Sequence, residues 1–177
     1  MYRVTDVVKH LLAINILLYL GSWLMGTPVD TPSGPDWGRL QLALFYPTSP
    51  FFQPYQIVTH MFMHGSLMHL FFNMFALFMF GPPLESVWGP KRFLSYYLIT
   101  GFGAMALYMG VKYLEIQGAA SPQAASQIIN TPMLGASGAV FGLLTGFGML
   151  FPNTVVQLLI PPIPLKAKYF VLIFAAL

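Results

Sequence analysis

Residues 57–80 read IVTHMFMHGSLMHLFFNMFALFMF, an apolar run without one Asp, Glu, Lys or Arg. A helix needs about 20 mostly apolar residues to cross the roughly 30 Å hydrocarbon layer of a bilayer, and this stretch is long enough. Three others qualify: about Val7 to Met25, about Phe93 to Leu114 and about Met133 to Phe151. The composition agrees, with 56% hydrophobic and only 7% charged residues. A soluble domain carries roughly a quarter charged residues and could not hide that much apolar surface. The expected fold class is therefore all-α, a polytopic transmembrane helix bundle of four complete spans plus the start of a fifth. A cleaved signal peptide is the other reading of the first span, but the run is longer than a signal core and lacks a clear small-residue cleavage site.

The connections differ in kind. Residues 26–56 are rich in Pro, Gly and aromatics, including Trp37, Phe45, Tyr46 and Tyr55, and are expected to lie at the membrane interface. Gly81-Pro82-Pro83 and Gly89-Pro90 predict a short, tight connection. Residues 115–132 are small and polar and read as an exposed loop. With no cysteine, disulfides and thiolate metal sites are unavailable. The net charge of +3 is scattered, which argues against nucleic acid as a partner. With the N-terminus inside the cell, Arg3, Lys9, Lys91, Arg92, Lys166 and Lys168 fall inside, and only Arg39 and Lys112 fall outside. That is the positive-inside pattern.

Polar side chains inside a span are costly, so they are where chemistry is to be sought. The second span holds His60, His64, His69 and Asn73. His69 and Asn73 share a helical face, and counting from His60 places His69 roughly 13 Å along the axis. Interhelical hydrogen bonding alone could account for such a pair. His60 and His64 have the spacing of two metal ligands, but Met61 stands where a metalloprotease needs Glu, and no metal is expected. The fourth span opens Gly135-Ala136-Ser137-Gly138, and Gly138, Gly142 and Gly146 form a smooth stripe for close helix approach. Ser137 could be one more small packing residue, although flanking glycines leave its hydroxyl accessible. Ala139 breaks the G-x-S-x-G elbow of soluble hydrolases.

A His-x-x-x-Asn pair in the second span followed by Gly-x-Ser-Gly opening the fourth resembles the rhomboid family of intramembrane serine proteases. Thr59-His60, Met63-His64, Leu67-Met68-His69-Leu70-Phe71-Phe72-Asn73 and Glu85 agree with it. The resemblance implies a single rhomboid-like domain over 1–177, with 1–25 as N-terminus and first span, 26–56 as interfacial loop and 57–177 as the remaining spans. It implies a serine endopeptidase that cleaves transmembrane protein substrates within the lipid bilayer and needs no cofactor. Ser137 matches the nucleophile, His69 and Asn73 the oxyanion-hole side chains, Gly135 a glycine shaping the site backbone. Phe141, with Gly138 and Gly142, packs beside the site.

The family's general base is a histidine on a sixth helix, and no histidine follows His69. Only nine apolar residues follow Lys168, so the chain reads as incomplete at the C-terminus and is expected to be inactive by itself. Tyr55-Gln56 stands where many relatives have Trp-Arg, a departure bearing on how the first loop is anchored. A catalytically inactive rhomboid-like protein that binds client transmembrane segments would keep the helices without cutting. A transporter would need ionisable residues in several spans. The expected location is a bacterial inner membrane, with the N-terminus cytoplasmic and the site opening outward.

Overall fold

A computed structural model describes residues 4–24, 40–157 and 164–176 of the protein. The readings made for Arg3, Trp37 and Arg39 lie outside those residues. The described helices are α1 (Asp6–Leu24), α2 (Gln56–Thr59), α3 (Leu67–Trp88), α4 (Pro90–Gln117), α5 (Pro122–Asn130), α6 (Ser137–Leu150) and α7 (Ala167–Ala176), with a short 3-10 turn over His60–Phe62. A two-stranded antiparallel ribbon, β1 (Val155–Gln157) and β2 (Pro164–Lys166), pairs Val156 with Leu165. The fold is thus a helix bundle with a small β-ribbon that an all-α expectation does not contain.

By length and composition α3 and α4 can each cross a membrane. The expected four spans are not all confirmed. At 14 residues α6 reaches only about 21 Å, and α1 has 19 residues with Asp6, Lys9 and His10 in its opening turns.

The second span begins later than residue 57. Ser66 is extended, and its hydroxyl accepts a hydrogen bond from the His69 amide at 3.1 Å, so helix α3 starts at Leu67. His69 therefore lies in the first turn of α3, not two turns down a helix running from His60. At its other end α3 continues through Pro82 and Pro83 to Trp88, where a tight turn was expected. Each proline forfeits a helical hydrogen bond and strains the helix. Packing outweighs that here: Leu84 is fully buried, and α1 approaches so closely that a Cβ on Gly81 would sit 2.6 Å from Val8. The chain reverses at Gly89, whose φ of +78° suits glycine, and Pro90 opens α4.

Glu85, buried near the end of α3, fixes the start of α1. Its carboxylate accepts from the Thr5 hydroxyl and from the Val7 and Val8 amides, both at 3.1 Å. An anion on the unpaired N–H groups of a helix start is favoured by both hydrogen bonding and the helix dipole.

The glycine stripe of α6 faces α4. A Cβ at Gly138 would lie 2.4 Å from that of Ala104, one at Gly142 2.4 Å from Thr100 Oγ1, and one at Gly146 2.8 Å from Trp88 at the α3–α4 junction. Partner numbers fall as stripe numbers rise, so α4 and α6 run antiparallel. The third span, not the second, takes the stripe, since Ala104 and Thr100 are small enough for backbones to close. The α3 helix meets another side of α6, with Phe80 and Phe147 at 5.0 Å between ring centroids. Leu77, Phe93, Tyr97 and Leu143 form the fully buried centre.

Residues 40–56 form a loop organised by one side chain. Gln56, 1% exposed, accepts from the Phe45 and Gln53 amides and donates to the Gln41 and Phe51 carbonyls. The amide thereby anchors the loop at the position where many relatives have arginine. Gln56→Ala would leave four backbone groups of this loop without that partner, at about 1 kcal/mol or more each where burial is complete. Thermal unfolding should show a loss of about 2–4 kcal/mol, with faster amide exchange in 41–56. A variant as stable as the wild type would show that other contacts hold the loop.

Residues 115–132 are not a plain loop. The α4 helix runs to Gln117. Ser121 then caps α5, its hydroxyl accepting from the Ala124 amide at 3.1 Å, and Pro122 occupies the first helical position.

Candidate active site

Ser137 and His69 are 68 positions apart in the chain, and the fold places Ser137 Oγ 3.1 Å from His69 Nε2. Both stand at helix starts, Ser137 as the first residue of α6 and His69 in the first turn of α3. The contact between Phe80 and Phe147 repeats the pairing about ten residues further along each helix. The two helices therefore run parallel from a common level, as the proximity of these residues requires.

Three ties hold the segment before Ser137. Met133 and Leu44 exchange both backbone hydrogen bonds at 2.8 Å. The Gly135 amide donates to the His60 carbonyl at 2.9 Å. Gly135 itself has φ +119°, and a Cβ there would sit 2.7 Å from both Cε1 and Nε2 of the His69 ring and 3.1 Å from Ser137 Oγ. Glycine is needed twice over, for the backbone angle and for the space.

At the start of α6 the backbone N–H groups have no intrahelical acceptor. The Ser137 N–H is one of them, beside the Ser137 hydroxyl. Asn73 is one turn along α3 from His69 and 6% exposed. Its Nδ2 donates to the His69 carbonyl at 3.1 Å, so the amide is engaged within its own helix. An Asn amide carries two N–H groups, and one such bond leaves a second available for another acceptor.

The other two histidines of this region precede α3. His60 bonds the Gln56 carbonyl through Nδ1 at 2.9 Å, and its own carbonyl carries Gly135. His64 is 1% exposed and sets its ring edge-on against His69, 5.0 Å between centroids. Burial first, and then the charge of a protonated His69, push the His64 imidazole down to about 4. His64 is therefore neutral at physiological pH. No group of three or more His, Asp or Glu side chains that could hold a metal occurs among the described residues.

Phe141, one turn beyond Ser137, is 48% exposed. With Gly138, Gly142, Thr100, Thr145 and Val171 it lines an open groove of about 320 Å³ between α4, α6 and α7. The groove lies one helical turn from the serine.

Of the residues singled out in the sequence, Ser137, His69 and Gly135 come together, Asn73 stands behind His69, and Phe141, Gly138 and Gly142 border the groove. Two buried polar side chains outside the site escape the sequence reading. Gln56 was legible only as a departure from the Trp-Arg pattern. Lys112 was counted as an outer charge, yet it is 3% exposed. A lone lysine within the last turns of an apolar helix was the available signal.

Comparisons with known proteins point the same way as the geometry. A family model described as Rhomboid domain matches residues 52–177. Rhomboid protein 1, mitochondrial, of Saccharomyces cerevisiae is 29% identical over 159 residues, covering 90% of this chain and 40% of its own length. Rhomboid protease AarA of Providencia stuartii is 29% identical over 137 residues, 75% of this chain and 46% of that protein. RHOMBOID-like protein 6, mitochondrial, of Arabidopsis thaliana is 34% identical over 92 residues, 52% and 25% respectively. The chain thus spans less than half the length of each of these relatives. On its own motif and on a family match covering most of its residues, the chain belongs to the rhomboid family of integral membrane proteins.

Proposed function

We propose that the protein is an intramembrane serine endopeptidase that cuts transmembrane protein substrates, with Ser137 as nucleophile. The observation that carries this reading is the 3.1 Å approach of His69 Nε2 to Ser137 Oγ beside the glycine backbone of Gly135. In the reaction Ser137 Oγ attacks the scissile carbonyl while its proton passes to a base. The carbonyl oxygen becomes an oxyanion that accepts from the Ser137 N–H, the His69 ring and the Asn73 amide. Collapse expels the amine, which takes up the proton, and water then hydrolyses the acyl-enzyme. Donors preorganised at a developing oxyanion are worth about 3 kcal/mol each.

In this reading His69 is an oxyanion donor, and the base is a histidine outside the four in residues 1–177, as the family pattern implies. The same 3.1 Å contact also favours a second reading, in which His69 is itself the base. The polypeptide 1–177, assayed on a transmembrane substrate, separates the two. Its cleavage should fall several orders of magnitude below that of the whole protein. Robust cleavage by 1–177, lost in both Ser137→Ala and His69→Ala, would make His69 the base.

A rhomboid-like protein that binds client transmembrane segments without cutting them is the competing class. A fluorophosphonate probe decides between them, since only an activated serine is phosphonylated. Labelling of the whole protein that maps to Ser137 supports the protease, and a protein that resists the probe but retains client segments is the binding protein.

The orientation proposed puts Lys9, Lys91, Arg92, Lys166 and Lys168 on one side with the N-terminus, and the site near the other. The yeast and Arabidopsis relatives are named as mitochondrial, so the proposed membrane widens from a bacterial inner membrane to include a mitochondrial one.

A further inference from the structure

Lys112 lies in the last two turns of α4 and is the one Lys or Arg buried among the described residues. Taking an ammonium out of water is costly unless its N–H groups find partners. Here Nζ donates to the Ile128 carbonyl at 2.6 Å and to the Thr131 carbonyl. The face of Tyr108 lies 5.4 Å from the charge, a further favourable contact for a cation. Both carbonyls belong to the C-terminal end of α5, where the helix dipole is negative, and the Ile128 carbonyl also accepts from the Thr131 amide at 3.3 Å.

The helix so capped does not hold itself in place. It has nine residues and none of them is buried, and isolated helices that short are marginal in water. Thr131 also stands six positions before Ser137, and between them the chain is tied through Met133 to Leu44 and through Gly135 to His60. Lys112 fixes the upstream end of that segment to a spanning helix. None of the residues at the centre of the bundle, Leu77, Phe93, Tyr97 and Leu143, takes part in this tie.

We infer that Lys112 is a positioning residue for the nucleophile: its ammonium clamps the end of α5 to α4 and so sets the path by which residues 131–136 deliver Ser137 to His69. The inference rests on the proteolytic reading for its consequence in catalysis, but the clamp can be measured without catalysis.

The experiment compares Lys112→Met and Lys112→Arg with the wild type in the whole protein. It reads fluorophosphonate labelling of Ser137, thermal unfolding and amide exchange by segment. Methionine keeps most of the stem and loses the charge. The expected result for Lys112→Met is labelling slowed roughly tenfold, as for small misplacements of reacting groups. Exchange should be faster in 122–136 and unchanged in 70–88 and 139–150. The unfolding midpoint should stay near that of the wild type. Arginine can still donate to two carbonyls and should recover most of the labelling rate.

Unchanged labelling in Lys112→Met would overturn the inference. So would faster exchange spread through α3 and α6 with no recovery by arginine, because Lys112 would then support the bundle as a whole. If the wild type resists the probe, the proteolytic reading fails on its own. In that case unchanged exchange at 131–136 in Lys112→Met overturns the clamp, and faster exchange confined to 122–136 supports it.

Discussion

Ser137→Ala in the whole protein should abolish both fluorophosphonate labelling and cleavage of a transmembrane substrate. The expected loss is several orders of magnitude, because removing the nucleophile of a nucleophile–base unit costs about as much as removing the whole unit. The change should be nearly silent in stability. Ser137 Oγ makes one hydrogen bond across the fold, to His69 at 3.1 Å, and a single such bond contributes about 1 kcal/mol. Catalysis and stability are therefore separable at this position, and a thermal unfolding curve close to the wild type should accompany the dead enzyme. Labelling that persists undiminished in Ser137→Ala would move the nucleophile elsewhere and remove the proteolytic assignment of this site.

Gly135→Ala should be nearly as damaging to activity for a different reason. At φ +119° any residue with a Cβ is strained, at a cost of about 1–3 kcal/mol. The added methyl would also lie 2.7 Å from the His69 ring and 3.1 Å from Ser137 Oγ. Either the ring swings away or the backbone shifts, and both break the approach of Nε2 to Oγ. Misplacing reacting groups by about 1 Å can cost a hundredfold, so labelling of Ser137 should fall by about that factor or more. Gly103→Ala is the control, since a Cβ there meets nothing within 4 Å. If Gly135→Ala labels at the wild-type rate while it remains folded, Gly135 does not shape the site.

The candidate site residues were readable from the chain because each is expensive or unusual where it stands. Histidine and asparagine in an apolar run, and a serine flanked by glycines at the head of another, stand out locally, and the family pattern joined them. Long apolar helices were legible too: Pro90–Gln117 falls within a few residues of the third expected span, and Leu67–Trp88 overlaps the second but is shifted eight to ten residues downstream. What local pattern missed was where the second helix starts, because the apolar run continues upstream and only the extended Ser66 cap ends it. The Pro82-Pro83 pair misled in the opposite sense, since burial of Leu84 and Glu85 against the rest of the bundle carries the helix through.

By itself, then, the sequence determined that the chain is a membrane helix bundle and which side chains are candidates for chemistry, since apolarity and polarity are properties of single residues and short runs. Tertiary structure alone decided who meets whom. Lipid is as apolar as the helices, so hydrophobicity does not choose their partners. Partners follow from the shapes of two faces at once. Ala104 and Thr100 admit Gly138 and Gly142, the carbonyls of Ile128 and Thr131 receive Lys112, and the two helix starts bring His69 to Ser137. Each of these is a relation between distant stretches, and no periodicity along one stretch contains it.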